Sequence, residues 1–204
     1  MTRQQAILLV GPTGAGKSPL GDWLQAHGLW GRHCHHFDFG AKLREVAAGQ
    51  GNGFTVEETL FIRKLVEKGA LLEDETFHLA LRILVEFVGS RQVQPADVLV
   101  MNGLPRHTGQ ADAMAGLLQF VAVVYLQCSA EIVWERLQRD AGGDRAERTD
   151  DTVARVEQRL AVFAERTQPL LAWYRRLGVP SIQVAIGAQT RPSDILPLLE
   201  SVKL

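Results

Sequence analysis

Apolar residues recur along this chain in two alternating rhythms. Short, nearly unbroken apolar runs occupy residues 6–10, 98–101 and 121–126, with further extended candidates at 33–39 and 181–185. Runs of four to eight such residues bounded by turn formers predict strands, and the lack of polar alternation suits strands covered on both faces. Between them the spacing changes to three and four. Leu20, Trp23 and Leu24 begin a helix that ends near Gly28, and Leu43, Val46 and Ala47 mark a short one broken by the glycines at 49–53. Thr55 with Glu58 three residues on predicts a capping box ahead of a helix through Leu60, Phe61 and Leu65 to Gly69. Leu79, Ile83 and Phe87 place another over about 73–88, and Ser129 is a fitting N-cap for a helix through Arg139. The longest pattern joins Val153, Val156, Leu160, Phe163, Thr167, Leu170 and Tyr174. It predicts one helix over about 151–176 with a kink at Pro169, and a last helix spans 195–202. Strands alternating with helices imply a parallel α/β sheet.

Composition narrows the classes. At 204 residues the chain is one core with at most a small excursion, and no internal repeat is visible. Lys plus Arg number 22 against 23 Asp plus Glu, a net charge of −1, so no positive field exists to hold nucleic acid. Trp23, Trp30, Trp134 and Trp173 lack interleaved basic residues and read as packing residues, not a base-stacking platform. The apolar runs fall short of the roughly 20 residues of a membrane span. Two cysteines, Cys34 and Cys128, cannot staple a fold, and no signal peptide opens the chain, which predicts a reduced, cytoplasmic protein.

One motif carries chemistry by itself. Gly11-Pro12-Thr13-Gly14-Ala15-Gly16-Lys17-Ser18 fits G-x-x-x-x-G-K-[ST] and lies between a strand and a helix. Its glycines let backbone amides converge on phosphate oxygens, the helix start adds partial positive charge, and Lys17 reaches the terminal phosphates. Ser18 can offer its hydroxyl to magnesium. The reading is a nucleoside triphosphate site. Neither N-K-x-D nor L-S-G-G-Q occurs, which weakens signalling GTPase and ABC transporter readings. The sequence His33-Cys34-His35-His36 alternates across a strand, so its side chains cannot converge on one metal ion.

Asn102-Gly103-Leu104-Pro105-Arg106, with Gln110 four residues on, resembles the D-G-[FY]-P-R…Q of adenylate kinases and of nucleoside monophosphate kinases more broadly. Further landmarks follow in order over nearly the whole chain. Phe39-Gly40-Ala41-Lys42-Leu43-Arg44 resembles T-G-D-L-L-R, and Gly69-Ala70-Leu71-Leu72-Glu73-Asp74 resembles G-x-L-V-P-D. Arg136-Leu137, Arg148-Thr149-Asp150-Asp151, Arg159-Leu160 and Thr167-Gln168-Pro169 match later motifs.

The resemblance implies a five-stranded parallel sheet flanked by helices, of the P-loop NTPase, nucleoside monophosphate kinase-like type. One kinase domain would span 1–204: a core of 1–38 and 91–204, a small helical monophosphate-binding insertion at 39–90, and a short lid at 140–149 without zinc ligands. It implies a monomer that uses Mg-ATP and a nucleoside monophosphate, AMP first. Arg44 and Arg106 would clamp the acceptor phosphate, with Phe39, Gly40, Ala70, Leu71, Leu72, Gly103 and Gln110 around the acceptor. Arg136 and Arg148 would close on the donor triphosphate and Arg159 would bridge the two nucleotides, while Arg155 and Arg166 read as solvated helix positions. Ser18, and Asn102 through water, would serve the magnesium ion.

Three departures stand out: Asn102 where the family has Asp, Pro19 where it has Thr or Ser, and Phe39 and Ala41 in place of Thr and Asp. They keep two alternatives open, a kinase for CMP, UMP or a small non-nucleotide acceptor, and a nucleotide-binding protein of weak or no catalysis.

Overall fold

The computed structural model describes residues 3–139 and 153–202. The first apolar run forms β1 (Gln4–Val10), which passes through the glycine-rich turn into α1 (Lys17–His27). β2 (Cys34–Asp38) runs directly into α2 (Phe39–Ala47), and α3 (Val56–Lys68), a 3₁₀ turn (Asp74–Thr76) and α4 (Phe77–Ser90) complete the stretch up to residue 90. β3 (Val98–Asn102), α5 (Thr108–Met114), β4 (Leu118–Gln127) and α6 (Ala130–Gln138) follow. The chain closes with α7 (Val153–Val162), α8 (Pro169–Arg176), β5 (Ser181–Ala185) and α9 (Pro192–Glu200).

The five strands are all parallel and lie in the order β2-β3-β1-β4-β5, as the strand-helix alternation predicts. Successive residues of β1 feed opposite layers. Ala6, Leu8 and Val10 join Phe37, Met101, Ile83, Phe87 and Leu170 on one face, and Ile7 and Leu9 join Leu20, Leu24, Ile195 and Leu199 on the other. Because both faces are covered, the strands need no polar side. β1 leads to α1, whereas β3 lies between β1 and β2, so the strand order reverses beside β1. A crevice forms there, outside the carboxyl ends of β1 and β3.

Local signals are used as the sequence predicts at two helix starts. Thr55 and Glu58 make the reciprocal capping box, and the Ser129 hydroxyl accepts from the Ile132 amide. Elsewhere the structure departs from the sequence reading. α5 has no counterpart in the hydrophobic pattern. The single helix expected over 151–176 is, in its described part, two helices separated by a π-helical turn at Phe163–Thr167, where the Gln168 amide donates to the Phe163 carbonyl at 2.8 Å. Pro169 therefore begins α8 rather than kinking a continuous helix. Its missing N–H and bulky ring are accommodated by widening the turn before it. Arg166, expected on a solvated face, pairs with Glu73 across this turn.

Candidate active site

At the end of β1 the chain makes the turn that the glycine motif requires. Gly16 holds φ at +93°, and a Cβ there would come 3.0 Å from an Arg136 nitrogen, so only glycine serves at this helix start. The Lys17 ammonium folds back over the turn and donates to the carbonyls of Gly11 and Pro12, both at 2.7 Å. Pro19 falls in the first turn of α1, where a missing N–H leaves no intrahelical bond unmade.

The P-loop forms one wall of an open cleft of about 1510 Å³, counted with the solvent space at its mouth. Lys17 and Ser18 lie on this wall with Gly11, Thr13, Gly14 and Gly16, while Arg44, Arg106 and Arg159 line the same cleft from α2, the β3–α5 turn and α7. Phe39, Gly40, Ala70, Leu71, Leu72, Gly103 and Gln110 line it as well. Residues far apart in the sequence reading thus converge on one space. Arg148 and the lid at 140–149 lie outside the described residues.

The arginine wall is built at an electrostatic cost. Desolvation, and then the neighbouring Arg159 charge, push the Arg106 guanidinium down to about 10. Two cations facing one cleft make a site for an anion, since a bound phosphate would offset both desolvation and repulsion.

Gln110 is 1% exposed, and both ends of its amide are engaged. Its Oε1 accepts from the Arg106 backbone amide at 2.7 Å and its Nε2 donates to the Leu72 carbonyl at 2.8 Å. His107 reaches the same carbonyl. Gln110 thereby ties the arginine turn to the 70–72 segment while lining the cleft. Arg136 is also buried. It donates to the Gly14 carbonyl through Nε at 3.0 Å and to Gly187 through Nη1 at 2.9 Å, with Ala188 and Thr190 carbonyls close by. It clamps the P-loop to the turn before α9, beside a second pocket lined by Gly16, Pro19 and residues 188–192.

Asp38 was missed in the sequence. Its Oδ1 accepts from the Ala41 amide as the N-cap of α2, and its Oδ2 accepts from the Ser18 hydroxyl at 2.6 Å and from Asn102 Nδ2 at 3.0 Å. An Asp directly before a helical run is an N-cap signal that could have found it. The Ser18 hydroxyl and the Asp38 carboxylate offer adjacent hard oxygen donors on the P-loop wall, which fits magnesium. Among the described residues no group of three or more His, Cys, Asp or Glu could hold a metal ion. His35 and His36 take separate partners, Asp97 and Asp22.

A family profile described as an AAA domain matches residues 7–157. An adenylate kinase of Synechococcus sp. (strain CC9311) is 33% identical over 183 residues, covering 86% of this chain and 87% of that protein. The chain belongs to the adenylate kinase family. Another adenylate kinase, from Stenotrophomonas maltophilia (strain K279a), is 32% identical with coverages of 84% and 86%, and that of Synechococcus sp. (strain WH7803) is 30% identical over 97% and 98%. Among solved structures, a gluconokinase from Sinorhizobium meliloti 1021 aligns at TM-score 0.51 with 17% identity, covering 98% of this chain and 92% of that one. A sugar kinase from Janibacter sp. HTCC2649 aligns at 0.50 with 16% identity, covering 96% and 91%. At such identities these two show the fold alone. The fold expected of an adenylate kinase family member is the one found, and no helix among the described residues is long and apolar enough to cross a membrane.

Proposed function

We propose that this protein transfers the γ-phosphoryl group of Mg-ATP to a nucleoside monophosphate, with AMP the first acceptor, giving two ADP. The observation that carries the reading is the convergence of Lys17 with Arg44, Arg106 and Arg159 on one cleft. A protein that only bound a triphosphate would gain nothing from a second, costly cationic wall.

The P-loop amides and Lys17 would hold the donor phosphates, with Arg136 fixing the loop and Arg148 joining from the lid. Arg44 and Arg106 would grip the acceptor phosphate, and Arg159 would span both. An acceptor phosphate oxygen is already anionic, so it needs no general base. It attacks the γ-phosphorus as the bond from that phosphorus to the β-phosphate oxygen breaks, and ADP leaves. The arginine forks align the two phosphates and offset their repulsion. Ser18 is one residue that would hold magnesium, which would supply charge neutralisation to the transferring phosphates. Closure of the 39–90 insertion and the 140–149 lid would exclude water from the transfer.

A second reading, the same transfer to CMP, UMP or a small non-nucleotide, is favoured by two observations. The Gln110 amide is committed within the protein, and buried Phe39 brings no hydroxyl to the acceptor wall. The test is a coupled ADP-release assay with Mg-ATP against AMP, CMP, UMP, GMP and dTMP, beside an Arg106→Ala control. Turnover with AMP that the control loses supports the first reading, and preference for another monophosphate supports the second. ATP binding with no turnover on any acceptor overturns the monophosphate kinase reading.

A further inference from the structure

The strand-end position that carries Asp in the family resemblance is Asn102 here, yet the site has not lost its carboxylate. Asp38 and Asn102 are register partners across the β2–β3 ladder, and their side chains meet at 3.0 Å. Adjacent strands are about 4.8 Å apart, so the negative charge stands one strand over at the same level of the sheet. Its contact with the P-loop is direct, because Asp38 Oδ2 accepts from the Ser18 hydroxyl at 2.6 Å.

We infer that Asp38, with Ser18, supplies the acidic oxygen of the magnesium site and that Asn102 is its positioning residue. The inference rests on the Mg-ATP reading above but not on the identity of the acceptor. Asn102 suits this part because of what surrounds it. Its Nδ2 lies 3.0 Å from Asp38 Oδ2, 3.1 Å from Ser18 Oγ and 3.4 Å from His36 Nε2. The His36 ring in turn bonds Asp22 through Nδ1 at 2.8 Å. With the Nδ1 proton directed to Asp22, Nε2 is an acceptor, and an amide NH₂ is the group that can donate to both His36 and Asp38. An Asp at 102 would instead set two carboxylates side by side, which opposes ionisation of one of them. The exchange is therefore paired: a carboxylate at 38 calls for an amide at 102.

The test separates charge from place. Asp38→Asn keeps an N-cap oxygen for α2 and removes only the charge; Asp38→Ser, also an N-cap former, replaces it should that variant fail to fold. Binding of Mn²⁺ in the presence of a non-hydrolysable ATP analogue, read by electron paramagnetic resonance, reports the site without catalysis or acceptor. Analogue binding in excess chelator reports the rest of the P-loop. Changes around a metal site cost about 10–100-fold in affinity. Asp38→Asn is expected to weaken Mn²⁺ at least tenfold while chelator-state binding stays within about threefold. The swap Asp38→Asn/Asn102→Asp is expected to regain most of the loss, since it returns one carboxylate to the site. Unchanged Mn²⁺ affinity in folded Asp38→Asn, or a folded swap that regains nothing, overturns the inference. Failure of AMP to turn over in the acceptor panel would leave these metal measurements unaffected.

Discussion

Arg166 closes a two-pronged ion pair onto Glu73, with Nη1 to Oε1 at 3.2 Å and Nη2 to Oε2 at 2.9 Å. It ties the π-helical turn after α7 to the segment that leads into α4, behind the 70–72 wall of the cleft. The Arg166 hydrogen bond holds the Glu73 carboxyl below its ordinary range. A depressed folded value means that the stabilisation is present above the unfolded value and disappears as pH falls through the folded one. Both side chains are partly exposed, so screening keeps the effect small. Glu73→Gln should cost less than about 1 kcal/mol in urea unfolding at pH 7. The same variant should speed amide exchange at residues 69–76, and unchanged exchange there would show that the pair holds nothing in place.

Arg106 should behave oppositely toward stability and activity. Its guanidinium is pushed down to about 10 by desolvation and by Arg159, so its charged form opposes folding throughout the neutral range. That opposition weakens as pH rises toward 10. Arg106→Gln is expected to lower kcat/KM with the acceptor by at least about 100-fold, in line with lost charge-assisted clamping of a transferring phosphate. At the same time it should raise the Tm of the ligand-free protein, by about 2–4 °C if 1 kcal/mol is relieved. A lower Tm would show that the guanidinium is a structural support.

Gly21 is a packing requirement of the contact between α1 and β2. A Cβ on it would lie 2.3 Å from the His36 ring, which is how α1 admits that ring between itself and Asn102. Gly21→Ala is expected to cost about 1–3 kcal/mol, the usual range for overpacking, by displacing the ring. Thermal unfolding with His36 ring shifts from NMR would check it, and an undisturbed His36 resonance would count against the account.

Asp97 anchors the turn into β3. Burial raises its carboxyl, but the Gln94 amide at 2.8 Å and the His35 ring at 2.9 Å outweigh that and hold it low. Its contribution to stability is therefore complete above the unfolded carboxylate range and is lost as pH falls through the lower folded value. Asp97→Asn should destabilise by about 1–3 kcal/mol at pH 7, with the difference from the parent shrinking toward pH 3. Parallel denaturant curves at the two pH values measure it.

The sheet and the P-loop were legible because both are written locally. A run such as Val98 to Asn102 needs no knowledge of its neighbours to be a covered strand, and the turn from Gly11 to Ser18 carries its own geometry. α5 escaped because its seven residues include few apolar positions, of which Ala111 and Met114 face the core. The π-helical turn escaped because the spacing of three and four runs through it unbroken. Asp38 could be suspected as a cap, but its bonds to Ser18 and Asn102 span 20 and 64 positions; the β2–β3 register brings it to Asn102, and the P-loop after β1 brings Ser18 to it. Gln110 matched its motif, yet its partners are Arg106 and the distant Leu72.

The π-helical turn between α7 and α8 also fixes an angle by counting. Each residue of an α-helix advances the chain about 100° around its axis, and a turn closed five residues back instead of four carries one residue more than the regular ladder. Arg159 sits just before this extra step, while Leu170 and Tyr174 are anchored in the core just after it. Deleting one residue of Phe163–Thr167 would restore an even spiral and swing Arg159 by about 100° relative to those anchors. The direction of the third arginine is thus stored in the length of the chain between 159 and 170, independently of which side chains fill it.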